Sequence, residues 1–390
     1  MHIEVIIGAN YGDEGKGLIT EFRCRNNSNP IVVLSNGGCQ RGHTVNNIEK
    51  NIRHVFHHFG SGTLLNVPSI YANTYLLNPI KFIEEHKELV DVGINPIAYR
   101  APGCILQLPV DMFVNQQLEK HRNAAKHGSC GWGIWETLVR NAKRNEKLTF
   151  KDFESFDYRK KKSIYLSETE SHICSRLIAN NIDFDKHILD IIINENFVKH
   201  FIDDFEQMAK EVKCLESDNL LINDYRFDVN SIVVENAQGL LLDMKYAPKD
   251  KNGCVDIHTT PSKCGLEGAL EALGDDVCLD DVSTFYVSRT YLTRHGEGPF
   301  PEEDPTIKLN SFNDMTNIYN EYQGSIRYGR LTIDAKQQLM KRIYDDSCQT
   351  NYNLVFTHCN VIDANILPNM LDRGNIYCSF DEDSRHILTI

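Results

Sequence analysis

Asp13, Lys16 and His43 are the side chains near the amino terminus whose types and spacing suit phosphate chemistry. The first two lie in Ile3 to Gly17, IEVIIGANYGDEGKG, where a short apolar run stops at Gly8 and gives way to the turn Gly12, Asp13, Glu14, Gly15, Lys16, Gly17. Glycine at positions 12, 15 and 17 lets backbone N–H groups approach phosphate oxygens without a Cβ in the way. Lys16 adds a charge, and a helix starting there turns its positive end toward the anion. A strand over Glu4 to Ile7 would hold such a loop rigidly. The spacing departs from a Walker A loop: the gap from Gly8 to Gly15 is too long, and Gly17 stands where a Ser or Thr would hold magnesium. Asp13 is therefore the candidate metal ligand. Alone, the loop could equally be a glycine-rich surface turn.

A second loop weighs against that plainer reading. Asn36 to Val45, NGGCQRGHTV, follows the apolar run Pro30 to Leu34 and carries His43 at its tip. A lone histidine is more often structural; one beside two phosphate loops is a candidate acid. His57 and His58 read as structural, because neighbours on a strand face opposite sides.

The two loops resemble the GDEGKG and GGxNAGHT motifs of the adenylosuccinate synthetases. The resemblance continues through Phe59, Gly60, Ser61 and Gly62 (the family's PSG turn), Glu235 to Leu242 (ENAQGLLL against EGAQGxLL) and Thr293 to Pro301 (TRHGEGPFP against TRVGAGPFP). The five motifs keep the family's order. The resemblance implies an α/β fold with a mostly parallel central sheet flanked by helices, and a ligase that joins L-aspartate to C6 of a purine monophosphate. In that reaction a nucleoside triphosphate phosphorylates O6 and the amine of aspartate displaces the phosphate. Carried over residue by residue, Asp13 is the base at N1 and His43 the acid, with Lys16 at the transferring phosphoryl group. Gln238 orients the histidine and the base, and Mg2+ is held by Asp13 and the Gly42 carbonyl. Gly12, Glu14, Gly15, Gly17, Thr44, Asn360 and Ser379 join Asp13, Lys16, Gly42 and His43 around the donor nucleotide. Gln40, Arg41, Ser129, Cys130, Arg140 and Thr259 join Asp13 and Gln238 around the monophosphate, and Ser325, Arg327 and Arg330 hold aspartate. A homodimer is also implied, with Arg140 or Arg144 reaching across to the other subunit.

Departures from the family pattern bear on the substrate. Gln40 and Arg41 replace Asn and Ala, Cys130 replaces a phosphate-binding threonine, and the arginine-rich loop is reduced to Gly324 to Arg330, GSIRYGR. Thr357 to Val361 reads THCNV in place of TKLDV. An aspartate accepts two hydrogen bonds from guanine, whereas the Asn360 amide has one donor and one acceptor group, the pairing adenine offers. ATP or dATP is the expected donor. An adenine-type donor site resembles the phage-type PurZ group, which acts on dGMP on the way to 2-aminoadenine, although some members there replace the loop aspartate that this chain keeps. The alternative is an ordinary adenylosuccinate synthetase acting on IMP with GTP; a nucleotide sensor without turnover is disfavoured because Asp13, His43 and Gln238 are all present.

The remaining sequence suits such an enzyme. The 390 residues carry a net charge of −13 and a pI near 5.6, which argues against a nucleic-acid surface. No apolar stretch approaches the roughly 18 residues of a membrane span, and no signal peptide is apparent, so a cytoplasmic enzyme is expected. Twelve scattered cysteines without a CxxC pair read as reduced thiols rather than zinc ligands. Strands are expected at Ile31 to Leu34, Ser69 to Ala72, Ser231 to Val234, Ser283 to Tyr291 and Asn353 to Phe356, within one domain over 1–390. A helical excursion occupies about 143–230, with a continuous apolar face from Ile188 to Lys213, and Ala247 to Gly253 is a polar turn.

Overall fold

The computed structural model describes residues 1–123, 127–144, 147–221, 229–246, 257–275, 277–307, 319, 321–348, 350–361 and 374–390. The turn expected at 247–253 lies outside these. Ten strands form one sheet, in the spatial order Leu388–Thr389, Ile376–Cys378, Asn351–Thr357, Val282–Arg289, His2–Gly8, Ser231–Glu235, Pro30–Leu34, Ser69–Tyr71, Ala98–Arg100 and Val212–Cys214. All neighbours run parallel except the edge pair Ile376–Cys378 and Leu388–Thr389. Parallel strands covered on both faces need continuous apolar runs. The chain supplies them: Val5, Ile6, Ile7, Val32, Val33, Leu34, Ile232, Val233, Val234, Leu354, Val355 and Phe356 are fully buried.

The strands expected from the sequence all form. That at 283–291 is shorter than expected: it stops at Arg289, and after a bend Leu292–Arg294 pairs antiparallel with Arg327–Gly329. Four outer strands were not foreseen, since two or three residues carry no periodic signal and only pairing with a neighbour makes them strands. The helical face expected over 188–213 is two helices, Lys186–Ile193 and Glu195–Glu211. Asn194 breaks it by leaving the helical conformation and capping the second helix, its side chain accepting from the Asn196 N–H at 2.9 Å. Val212, read as helical, starts the edge strand. Phe201, Ile202, Phe205 and Met208 of the second helix belong to the same apolar core as the sheet.

Five adjacent strands matter for function. Asn351–Thr357, Val282–Arg289, His2–Gly8, Ser231–Glu235 and Pro30–Leu34 run parallel side by side, so their carboxyl ends share one edge of the sheet. Each is followed by one of the motifs that carry the resemblance or its departures. In open parallel sheets this edge is where ligands bind.

Off the sheet, Asp111 ties the helices Pro109–Arg122 and Ile134–Ala142 together. Its fully buried carboxylate accepts from the Leu108 N–H at 2.9 Å, the Thr137 hydroxyl at 3.0 Å and the Arg140 guanidinium at 2.7 and 2.9 Å. Asp111→Ala leaves the buried Arg140 charge with only the longer pair to Glu168 at 3.5 Å, and we expect it to lower the unfolding free energy by about 3–5 kcal/mol. Urea unfolding checks this; a midpoint within error of the parent would show that the pair is not structural.

Candidate active site

The first loop leaves the sheet at Gly8. Gly15, at φ 96°, caps the helix Lys16–Asn26, and a Cβ there would come within 3.1 Å of Thr357 Cγ2. The Thr357 hydroxyl donates to the Glu14 carbonyl at 2.8 Å. The Glu14 carboxylate folds back into the loop. It accepts from the N–H groups of Asn10 at 2.6 Å and Gly12 at 3.2 Å, with the buried Lys16 ammonium 3.7 Å from its other oxygen. Burial raises its pKa. Expected among the donor-nucleotide residues, Glu14 here frames the loop with its side chain.

The other motifs close on this loop. A Cβ on Gly17 would lie 2.8 Å from the Thr44 carbonyl and 3.2 Å from His43 Cβ, so the helix start and the hairpin His43–Asn47/Ile52–Phe56 are in contact. A Cβ on Gly239 would lie 2.6 Å from the Gly12 nitrogen. Gln238 therefore sits beside the loop, with φ 65° and its Oε1 accepting from the Cys264 thiol at 3.7 Å. Asp13, also left-handed at φ 57°, has its carbonyl held by Arg289 Nε and its Oδ2 3.4 Å from His295 Nε2. Its side chain remains 36% exposed, so a carboxylate stands at the rim of the loop.

Beneath these groups lies Glu235, the last residue of its strand and fully buried. Its Oε1 is 2.7 Å from His43 Nδ1 and accepts from the Ser61 hydroxyl; its Oε2 accepts from Arg41 Nη2 at 2.8 Å and from the Ser61 N–H at 3.1 Å. Burial would raise this carboxyl, but Arg41 and His43 hold it well below the usual carboxylate range. Burial, then the Arg41 charge, lowers His43 to about 4 against the pull of Glu235. Because a carboxylate only accepts, Nδ1 carries the proton of the neutral ring.

Several expected site residues are engaged within the chain. Arg41, expected on the monophosphate, turns inward to Glu235 and the Phe59 carbonyl: a buried guanidinium needs its carboxylate. Arg140, also expected on the monophosphate, is held by Asp111 at 2.7 Å. The Ser129 hydroxyl donates to Asn115 Oδ1 at 2.9 Å, and burial pushes the Cys130 thiol up to about 11. Both stand in the loop that packs on 296–297, where a Cβ on Gly128 would meet the Glu297 nitrogen at 2.6 Å. The Gln40 amide folds over Gly37, and its polar atoms have no protein partner among the described residues. Thr259 precedes Thr260, whose N–H donates to the Leu242 carbonyl at 2.7 Å. Arg327 braces the 296–298 turn and pairs with Glu303 at 2.8 Å, Arg330 pairs with Asp304, and Ser325 is exposed. Asn360 lies exposed in the turn after Thr357, and the Ser379 backbone carbonyl accepts from the Cys359 N–H at 3.0 Å. His58 is fully buried and accepts from the Asn78 N–H at 3.0 Å, in line with a structural role. It lies past the strand expected for it, which ends at Phe56.

The sequence reading assigned no role to Glu235, Arg289, His295 or Arg342. The last donates to Asn10 Oδ1 at 2.9 Å beneath the first loop. One signal was present: an acid ending the apolar run SIVVE is anomalous unless something inside binds it.

A sequence profile of the adenylosuccinate synthetases matches residues 5–330. The chain belongs to the adenylosuccinate synthetase family. The adenylosuccinate synthetase of Thermodesulfovibrio yellowstonii is 27% identical over 320 residues, covering 78% of this chain and 65% of that protein. That of Prochlorococcus marinus strain NATL1A is 29% identical over 302 residues, covering 77% and 63%. The match thus spans less than two-thirds of the length of these relatives. Among solved structures, fully ligated adenylosuccinate synthetase from Plasmodium falciparum superposes with a TM-score of 0.67 at 18% identity, over 100% of this chain and 87% of that one. Cyanophage S-2L succinoaminodeoxyadenylate synthetase (PurZ), bound to dGMP and dATP as an energy donor, gives 0.67 at 14%, over 100% and 95%. Both share the fold of a mostly parallel sheet flanked by helices. No described helix is long and apolar enough to cross a membrane, and the described cysteines are free thiols.

His43 links stability to pH. Its folded pKa of about 4 lies below the roughly 6.5 of an unfolded histidine, so between these values only the unfolded chain takes up the proton. Stability should fall as pH drops from about 6.5 toward 4. The difference in urea midpoint between pH 7 and pH 5 should shrink in His43→Asn; an equal difference in both proteins would assign the acid sensitivity elsewhere.

Proposed function

We propose that this protein is a ligase that joins L-aspartate to C6 of a 6-oxopurine nucleoside monophosphate, with dGMP preferred and ATP or dATP as phosphoryl donor. What carries the reading is the meeting of Asp13, Lys16, His43 and Gln238 at the carboxyl edge of the sheet. A carboxylate at the rim suits removal of the N1 proton, which makes O6 nucleophilic toward the terminal phosphorus of the donor. The loop amides and the buried Lys16 then face the charge that gathers on the transferring group. His43 keeps its Nδ1 proton on Glu235, and its Nε2 has no protein partner among the described residues. Arriving phosphate charge favours the imidazolium, and a second proton at Nε2 is what lets the ring donate to O6. Attack of the aspartate amine at C6 then expels phosphate.

The Asp13 carboxylate and the carbonyl of Gly42, an exposed residue, are hard oxygen donors that fit Mg2+, completed by water and phosphate oxygens. When bound, the ion would neutralise phosphate charge during transfer. For the homodimer, Arg144 is the remaining candidate to reach the partner; it is 31% exposed and pairs with Glu168, whereas Arg140 is held by Asp111. Catalysis in the cytoplasm completes the proposal. A second reading, an ordinary enzyme acting on IMP with GTP, is favoured by the sequence relatives, which are named adenylosuccinate synthetase. Offering IMP, GMP, dGMP and dIMP with aspartate, magnesium and either ATP or GTP, and following the succinyl-purine by absorbance, separates the two.

Asp13→Ala and His43→Ala should each cut turnover by at least about a hundredfold while changing monophosphate binding little, as befits groups that act on charge developed after binding. Near-normal turnover in either would reassign the chemistry. Asn360→Asp should move the ATP to GTP preference toward GTP by about tenfold or more, from the roughly 1–3 kcal/mol that one paired amide contributes at a base edge. An unchanged preference would remove Asn360 from base selection.

A further inference from the structure

We propose that His295 is a specificity-determining residue for the purine. It fixes the plane of the Asp13 carboxylate so that one lone pair on each oxygen faces the N1–H and the exocyclic amine of a 2-amino-6-oxopurine. The inference rests on the reading of Asp13 as the group that meets N1. His295 Nε2 lies 3.4 Å from Asp13 Oδ2, and its side chain is only 17% exposed. A carboxylate accepts only, so the ring nitrogen facing it is the donor. An ionised carboxylate has about four lone-pair sites. His295 Nε2 is within reach of one on Oδ2, and the remaining sites suffice for the purine edge and the proposed Mg2+.

Both partners stand on braced backbone, so their separation is a property of the fold. Arg289 Nε holds the Asp13 carbonyl. Arg327 Nη2 donates to the carbonyls of Gly296 and Gly298, each at 2.9 Å, and Arg294 donates to those of Pro299 at 2.7 Å and Glu297 at 3.1 Å. The turn that carries His295 is thus tied down on two sides. Without a donor at 295 the Asp13 carboxylate can rotate about its terminal bond, a soft and broad torsion. It then presents one oxygen to N1–H with no second acceptor held beside it. A purine with a 2-amino group loses a hydrogen bond by that rotation, and one with a hydrogen at C2 loses nothing.

The test compares the parent, His295→Val and His295→Gln, the last keeping an N–H donor at similar reach. With saturating ATP and aspartate, kcat/KM is measured for dGMP and for IMP. His295→Val should lower the dGMP to IMP ratio by about tenfold, roughly the loss of one well-placed hydrogen bond, and His295→Gln should recover most of it. A ratio within twofold of the parent in His295→Val, or an equal fall in the Gln variant, overturns the inference. Calorimetric titration of dGMP and IMP into the same three proteins keeps it apart from the catalytic reading. If the parent turns over neither purine, the ligase assignment fails; weaker dGMP binding with unchanged IMP binding in His295→Val would still support the role of His295, and equal changes for both would end it.

Discussion

A carboxylate with no solvent around it sits at the end of the strand Ser231–Glu235, and much of the surrounding structure answers to it. An isolated buried charge costs several kcal/mol, so Glu235 must collect partners. It takes them from two places in the sequence: Arg41 and His43 from the second glycine loop, and the backbone and hydroxyl of Ser61 from the turn that follows the hairpin. Meeting that one demand fixes two loops and one ring tautomer together. The same cluster explains why His43 stays neutral in the free protein although a carboxylate touches it: burial disfavours the charged ring first, and Arg41 adds its own positive charge beside it.

The sheet decides where this cluster lies. With five neighbouring strands parallel, their following loops leave from a single edge, and residues more than two hundred positions apart become neighbours. Gly12 and Gly239, Gly15 and Thr357, and Asp13 and His295 are such pairs. Close approach is permitted by missing Cβ atoms on one side of the first two contacts and by braced turns in the third. Glu14 shows the same economy at shorter range, its carboxylate satisfying two loop amides while resting near Lys16.

The departures from the family motifs separate into two kinds. Arg41 lies inside and shares Glu235 with His43. Asn360 is exposed at the turn after Thr357, open to a base, whereas His295 faces the carboxylate at the rim of the first loop and reaches a purine only through it. Of the arginines in the altered loop, Arg330 is exposed and its pair with Asp304 is exchanged at little cost, whereas the half-buried Arg327 pairs with Glu303 and also braces the 296–298 turn.

By itself the sequence determined the central strands, because a parallel strand buried on both faces must be an unbroken apolar run, and runs such as VIIG and IVVL are local facts. It also determined the glycine loops and the family, since backbone approach to phosphate demands glycine at fixed offsets. What only the tertiary structure decided are the choices among partners. Arg140, by its place in the chain a candidate for substrate or partner subunit, pairs with Asp111, twenty-nine positions away. The helix expected over 188–213 broke at Asn194 because a side chain there competes for backbone donors, and Val212 became a strand because an edge was free to receive it. Whether a charge is buried, paired or presented to a ligand depends on neighbours that spacing along the chain does not encode, and the energy at stake in a buried charge is large enough to make that neighbour decisive.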